Sequence, residues 1–227
     1  MMGPHDDEEP RVHVSLAARL REETHELHRD VERHAFMRAL LRGALDRPGY
    51  VLLLRSLHGV YAALEAGLER HAADPRLAPF AEPALRRRAP IESDLQALAG
   101  PAWPRLQAPE AAARYAERLN DLAAHQPLLL AAHAYVRYLG DLSGGQLLAG
   151  IVERSVGGAT AFYAFGDATT SASRAGALRR GLDALGSDAA VADAVAAEAR
   201  AAFARHGELF DELAVRGGLV AAPLGAA

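Results

Sequence analysis

The stretch Ala131–Gln146 is helical in composition on both flanks, yet Gly140, Gly144 and Gly145 sit within it. Pro127 suits the first turn of a helix, where its missing amide costs nothing, and Gly157 with Gly158 suits its end. The run between them amounts to about 29 residues, roughly 43 Å at the helical rise. Each glycine gives up about 1 kcal/mol of helix preference relative to alanine. A helix that keeps them either bends there or receives a neighbour against its bare backbone. Close helix packing is one reading of the spacing. Asp141 and Ser143, set among Leu139, Leu142, Leu147 and Leu148, favour another, a polar device held over a cavity.

The 227 residues suffice for one substantial core, and no linker divides them. Half are hydrophobic, Ala and Leu dominate, and aromatics make up only 6%. That composition favours helix over strand and predicts an all-α, single-domain bundle. With no cysteine in the chain, any metal falls to His, carboxylate or Tyr. Asp6, Asp7, Glu8 and Glu9 give a start unlike a signal peptide, and no run of about 18 apolar residues occurs, so the expectation is a soluble, cytoplasmic protein without a membrane anchor. A formal charge of −4 argues against nucleic acid as a partner, Arg86, Arg87 and Arg88 forming only a small basic spot.

Residues 1–14 read as a disordered tail, 15–215 as the folded domain and 216–227 as a flexible tail. Ser15 caps a first helix whose stripe of Leu16, Leu20, Leu27 and Val31 continues, after a break, through Phe36, Met37, Leu40 and Leu41. Asp46 and Pro48 start the next, apolar from Tyr50 to Leu68. A segment over 82–99 is interrupted at Pro90, and a helix follows over 109–125. The turn-rich residues 157–170 carry Phe162, Tyr163 and Phe165, suited to walling a pocket. Ser171 and Asp188 start the last two helices.

On the first helix Arg21, His25, His28 and Glu32 fall on overlapping faces. A histidine at the edge of an apolar stripe is a candidate ligand and equally an ordinary surface histidine. Glu22 and His25 also form the Glu-x-x-His half-site of di-iron bundles, but no second copy occurs in the chain.

Leu20 through His28, with Glu32 and Phe36-Met37-Arg38, resembles the proximal-helix motif of the heme oxygenase family. The similarity extends to Ser56-Leu57 with Tyr61 through Glu65, and to His133 through Gln146, which is close to the family's distal-helix signature. Phe162 through Phe165, Glu198-Ala199, Ala202-Phe203 and Glu208 through Phe210 carry it toward the C-terminus, so that it covers roughly residues 15–215 in order.

The resemblance implies a helical bundle with heme sandwiched between a proximal helix and a glycine-kinked distal helix. His28 is then the iron ligand and Glu32 the acceptor for its other ring nitrogen. Arg21 meets a propionate, and His25 stands where the family has a second basic residue. Gly140 and Gly144 let the distal backbone lie against the porphyrin, and Gly145 counts among the heme-binding residues. Asp141 organises a water network with Tyr61 and Arg137, and Phe203 walls the pocket. Tyr135 and an arginine near Arg179 resemble the remaining propionate contacts; there the expected lysine is Ala175, and Arg174 and Arg180 are close enough to substitute. His206 replaces an asparagine usual in the last helix.

The implied activity is that of an oxidoreductase. Heme serves as substrate and cofactor, and O2 with electrons from a ferredoxin, flavodoxin or NAD(P)H-dependent reductase converts it to biliverdin, carbon monoxide and ferrous iron. The implied form is a bacterial-type monomer serving iron acquisition or bilin supply. A heme carrier on the same scaffold would keep His28 without needing Asp141. A thiaminase-like or di-iron relative would lack the proximal histidine or carry paired Glu-x-x-His motifs.

Overall fold

The computed structural model describes residues 15–220, and among them every regular element is helical. The tail expected over 1–14 lies outside the described residues. Of the tail expected over 216–227, Arg216 ends the last helix, 217–220 form a turn, and 221–227 lie outside.

Ser15 caps α1 (Leu16–Glu23), its hydroxyl accepting from the Ala18 amide at 3.2 Å. The helix does not run on as the apolar stripe suggests. The Thr24 hydroxyl donates to the Leu20 carbonyl at 2.6 Å, a bond that competes with the next helical turn, and α2 (His25–Arg33) restarts at once. No residue of α2 is buried, so it stands as one wall of an open space. His34 caps α3 (Ala35–Leu41) by accepting the Phe36 amide at 3.2 Å.

Asp46 opens α4 (Arg47–Arg70), accepting from the Gly49 amide at 2.8 Å. Leu53, Leu54, Leu57, Leu64 and Leu68 are buried along it, each contributing about 2 kcal/mol. By length and composition α4 could cross a membrane, which the sequence reading did not foresee. Here most of its surface is buried, chiefly against α5 (Arg88–Ala99) and α6 (Glu110–His125), as befits a core helix. Pro90 does not interrupt α5: it occupies the first turn, where amides have no intrahelical acceptor.

The glycine-bearing run is a 3-10 turn at Pro127–Leu129, α7 (Leu130–Ala134), a π-helical turn at Tyr135–Leu139, and α8 (Gly140–Val156), closed by Gly157 at φ +87°. The departure from α geometry is therefore not at the glycines. Gly140 has an ordinary φ of −61° and ψ of −49°, and the wider turn precedes it. What Gly140 contributes is the lack of a side chain, not backbone freedom.

Asp167, rather than the expected Ser171, caps α9 (Ala168–Leu185), accepting from the Thr170 amide at 2.7 Å, while Ser171 lies buried one turn inside. Asp188 caps α10 (Ala189–Arg216), which packs on α1, α2, α3, α6 and α7. The aromatic turn is pinned by buried charges. Asp94 accepts from the amides of Ala161 and Phe162 at 2.9 and 2.8 Å, and Arg87 donates to the Ala164 carbonyl at 3.0 Å while lying 3.8 Å over the Phe165 ring. Of the basic spot, Arg87 is taken up inside the fold, while Arg86 pairs with Glu69 and Arg88 with Glu92 at the surface.

Candidate functional site

α1 and α2 on one side, with the π turn and α8 on the other, enclose a cavity of about 1000 Å³. A narrower space of about 220 Å³ adjoins it behind α8, sharing His28, Gly140, Gly144 and Phe203. The break at Thr24 and the π turn serve the same end, since the Tyr135 hydroxyl donates to Thr24 Oγ1 at 3.1 Å and ties the two walls together.

On the first wall, Arg21, His25, His28 and Glu32 all line the larger cavity, as their shared helix face predicted. The His28 side chain is 54% exposed. Its Nδ1 lies 3.6 Å from Glu32 Oε1, beyond a direct hydrogen bond, and its ring stands edge-on to Phe203 at 6.2 Å between centroids. A histidine this exposed, with a carboxylate beside one nitrogen and a cavity beside it, can offer Nε2 to a ligand.

On the second wall, no atom of the described residues beyond the helix's own nearby backbone and chain neighbours lies within 4 Å of where a Cβ on Gly140 or Gly144 would stand. These glycines are not filled by a neighbouring helix. They keep bare a strip of backbone facing the cavity, which removes the close-packing reading for this pair.

Behind that strip lies a buried polar cluster. The Tyr61 hydroxyl donates to Asp141 Oδ2. Arg137 donates through Nη2 to Asp141 Oδ1 at 3.1 Å, through Nε to the Tyr61 oxygen at 3.1 Å, and through Nη1 to His206 Nε2 at 2.7 Å. Burial pushes the Asp141 carboxyl above the usual carboxylate range, against the pull of Arg137 and Tyr61, and raises the Tyr61 phenol far up. Burial works against the Arg137 charge, but Asp141 and Tyr61 outweigh it and hold the guanidinium firmly protonated. An acidic group whose burial favours its protonated form, held from two sides where it lines the narrower space, is suited to holding and passing a proton.

The sequence model of the heme oxygenase family matches residues 14–212. The chain belongs to the heme oxygenase family. Human heme oxygenase 1 is 39% identical over 172 residues, a match that takes in 73% of this chain and 59% of the human protein. Heme oxygenase 1 of Nostoc is 35% identical over 204 residues, covering 88% of this chain and 86% of that one. Among solved structures, heme oxygenase-1 of the cyanobacterium Synechocystis, in complex with heme, superposes with a TM-score of 0.83 at 35% identity, over 91% of this chain and 94% of that one. The all-α fold expected from composition is therefore that of the heme oxygenases.

The structure brings together most of the residues that the heme oxygenase resemblance singled out. Arg179 and Tyr135 share the cavity with Arg21 and His25, and the charges of Arg21 and Arg179 both act on the Tyr135 phenol. Arg174 is occupied elsewhere, donating to the Phe165 carbonyl and lying near Glu82, and neither it nor Arg180 lines the cavity. Gly145 is a correction: it is buried against Tyr163, whose ring and carbonyl lie 3.6 Å from its Cβ position, and it does not face the cavity.

Sequence reasoning missed Thr24 as the tie to Tyr135, and it missed a second buried chain. Arg118 grips Glu198, with Nη2 to Oε2 at 2.7 Å. Glu198 accepts from His133 Nε2 at 3.0 Å, and the Tyr115 hydroxyl donates to His133 Nδ1 at 2.9 Å. Burial acts against the Glu198 anion, but the bonds from His133 and Arg118 win and hold it at about 2. These residues lie on α6, α7 and α10, so no spacing in the sequence announces them.

Proposed function

We propose that this protein binds heme in the larger cavity and opens its ring reductively with dioxygen, releasing biliverdin, carbon monoxide and ferrous iron. The observation that carries the reading is the bare backbone at Gly140 and Gly144, lining the same cavity as an exposed His28 and bordered by the buried Asp141 cluster. A flat strip without side chains, an imidazole with a carboxylate partner, and a rim holding Arg21, His25 and Arg179 suit a planar, iron-bearing ligand with two carboxylates. Heme, when bound, supplies both the iron that activates dioxygen and the ring that is cleaved.

The chain's own residues divide the remaining work. His28 holds the iron through Nε2, with Glu32 orienting its ring. Arg21, Arg179 and His25 would receive the propionates, Tyr135 would stand beside them with its hydroxyl on Thr24, and Phe203 would wall the cavity. Gly140 and Gly144 admit the macrocycle at a distance that any Cβ would forbid. Asp141, steadied by Tyr61 and Arg137, holds and passes protons through water at the cavity wall. A carboxylate acting through water can deliver a proton without a side chain entering the space over the bare backbone strip. Electrons come from a separate ferredoxin, flavodoxin or NAD(P)H-dependent reductase, and in this reading the protein works as a cytoplasmic monomer.

The test is to mix the protein with equimolar hemin under air, add a reductant with catalase present, and follow the Soret band and the biliverdin absorption together. Loss of the Soret band with biliverdin appearing supports the oxygenase. A stable complex that never opens, given a competent electron donor, would overturn the reading in favour of a carrier.

A further inference from the structure

His206 lies on α10, is 3% exposed, and reaches the Asp141 cluster only through Arg137. Every guanidinium nitrogen is a donor, so the 2.7 Å contact with Arg137 Nη1 requires His206 Nε2 to be an unprotonated acceptor. The ring's proton then sits on Nδ1, which faces the Ala202 carbonyl one turn back at 3.3 Å. One tautomer satisfies both contacts, and the imidazolium satisfies neither, since it would set a second donor against the guanidinium.

The groups around the ring agree. Tyr115 of α6 stands edge-on at 5.5 Å, Phe210 edge-on at 6.0 Å, and the nearby His133 offers no anion toward it. Among the described residues no carboxylate hydrogen-bonds the ring. Burial and the Arg137 charge both disfavour the imidazolium.

The consequence runs outward through Arg137. Its three nitrogens are each committed, to Tyr61, to Asp141 and to His206, which leaves the fork no free direction in which to swing. Without the third contact, Nη1 would be a buried donor lacking a partner, and the guanidinium would have reason to turn toward water and away from Asp141.

We propose that His206 is a positioning residue: an acceptor through Nε2 that pins the Arg137 guanidinium and thereby fixes the orientation of the Asp141 carboxylate at the cavity wall. The inference builds on the heme-opening reading, but its first test does not need heme. In ¹⁵N-labelled protein without heme, the His206 ring shows an unprotonated Nε2 and a protonated Nδ1 that persist from about pH 5.5 to 8.5, and the Arg137 Nη groups give separate, slowly rotating resonances. In His206→Phe those Nη signals average, and in His206→Gln, whose amide oxygen stands near the place of Nε2, they stay separate. With hemin, His206→Phe lowers the turnover for ring opening about tenfold while the hemin Kd stays within about twofold, and His206→Gln recovers to within about threefold of wild type. A His206 that titrates within this range, or Arg137 signals indifferent to the Phe variant, would overturn the proposal. A wild-type protein that fails to open heme would sink the functional reading alone, because the measurements on the heme-free protein still decide the role of His206.

Discussion

Arg137 and Asp141 are held to one another across the junction of the π turn and α8, Nη2 donating to Oδ1 at 3.1 Å with their side chains only 13% and 9% exposed. The wider turn places Arg137 so that one guanidinium also reaches Tyr61 on α4 and His206 on α10. The irregular backbone and the polar cluster are therefore one device. A regular α-helix through 135–139 would aim Arg137 differently and leave a buried carboxyl with a single partner.

Asp141→Ala removes the group on which that device converges. The expected outcome is hemin affinity within about threefold of wild type, since Asp141 stands behind the bare strip and not on it, with ring opening reduced about 100-fold. Soret titration and biliverdin formation measure the two separately. Normal conversion by the variant would refute the role given to Asp141.

His28→Ala has the opposite profile. The side chain is half exposed and has no direct hydrogen bond, so thermal stability without heme should stay within about 0.5 kcal/mol of wild type. Hemin binding, in contrast, should weaken at least about tenfold, and added imidazole should restore the spectrum of a histidine-ligated complex. Glu32→Gln should reduce hemin affinity about tenfold without abolishing it, because it only orients the ring.

How far this could be read beforehand depends on whether the information was local. Ser15, Asp46 and Asp188 act as helix caps because capping needs only a side chain and an amide two or three residues away. The shared face of Arg21, His25, His28 and Glu32 follows from helical periodicity, even though Thr24 breaks the helix, because α2 restarts at once. The π turn was not legible: three glycines pointed to a bend at 140–145, and nothing in Tyr135–Leu139 marks the residue that the turn absorbs. Gly145 adjoins Gly144 in the family-like motif, yet helical rotation turns it toward Tyr163. The chain from Arg118 to Tyr115 joins three helices distant in sequence, and only packing reveals it.

The glycines permit a prediction in which stability and function part. In Gly140→Ala or Gly144→Ala the new Cβ meets no atom of the described residues beyond the helix's own nearby backbone and chain neighbours, so the heme-free protein should gain up to about 1 kcal/mol from helix preference. The same methyl projects into the cavity, and hemin affinity and turnover should both fall. Gly145→Ala is the control: its Cβ makes ordinary contact with Tyr163, away from the cavity, so stability should change without loss of hemin affinity. Chemical denaturation and Soret titration of the three variants decide it, and a fall in hemin affinity confined to Gly145→Ala would reverse the assignment.

Acid should weaken the fold through two buried histidines before it does so through Glu198. Burial holds His206 and His133 below the ordinary histidine value of 6.5. The unfolded chain takes up a proton at each as pH drops through 6.5, while the folded chain does not, so their contribution is fully present above that value and declines below it. Both act in the same direction and cost stability between pH 7.5 and 5.5, His206 more than His133, whose bond to Glu198 offsets part of its burial. Glu198, held at about 2 against an ordinary 4.5, contributes stability above pH 4.5 that is lost only as pH falls from there toward 2. Urea denaturation of the heme-free protein at pH 7.5 and 5.5 separates these windows. His206→Gln, which keeps an acceptor for Arg137 and cannot be protonated, should lose less stability than wild type across that interval, and an equal loss in both proteins would mean that His206 takes up a proton in the folded state.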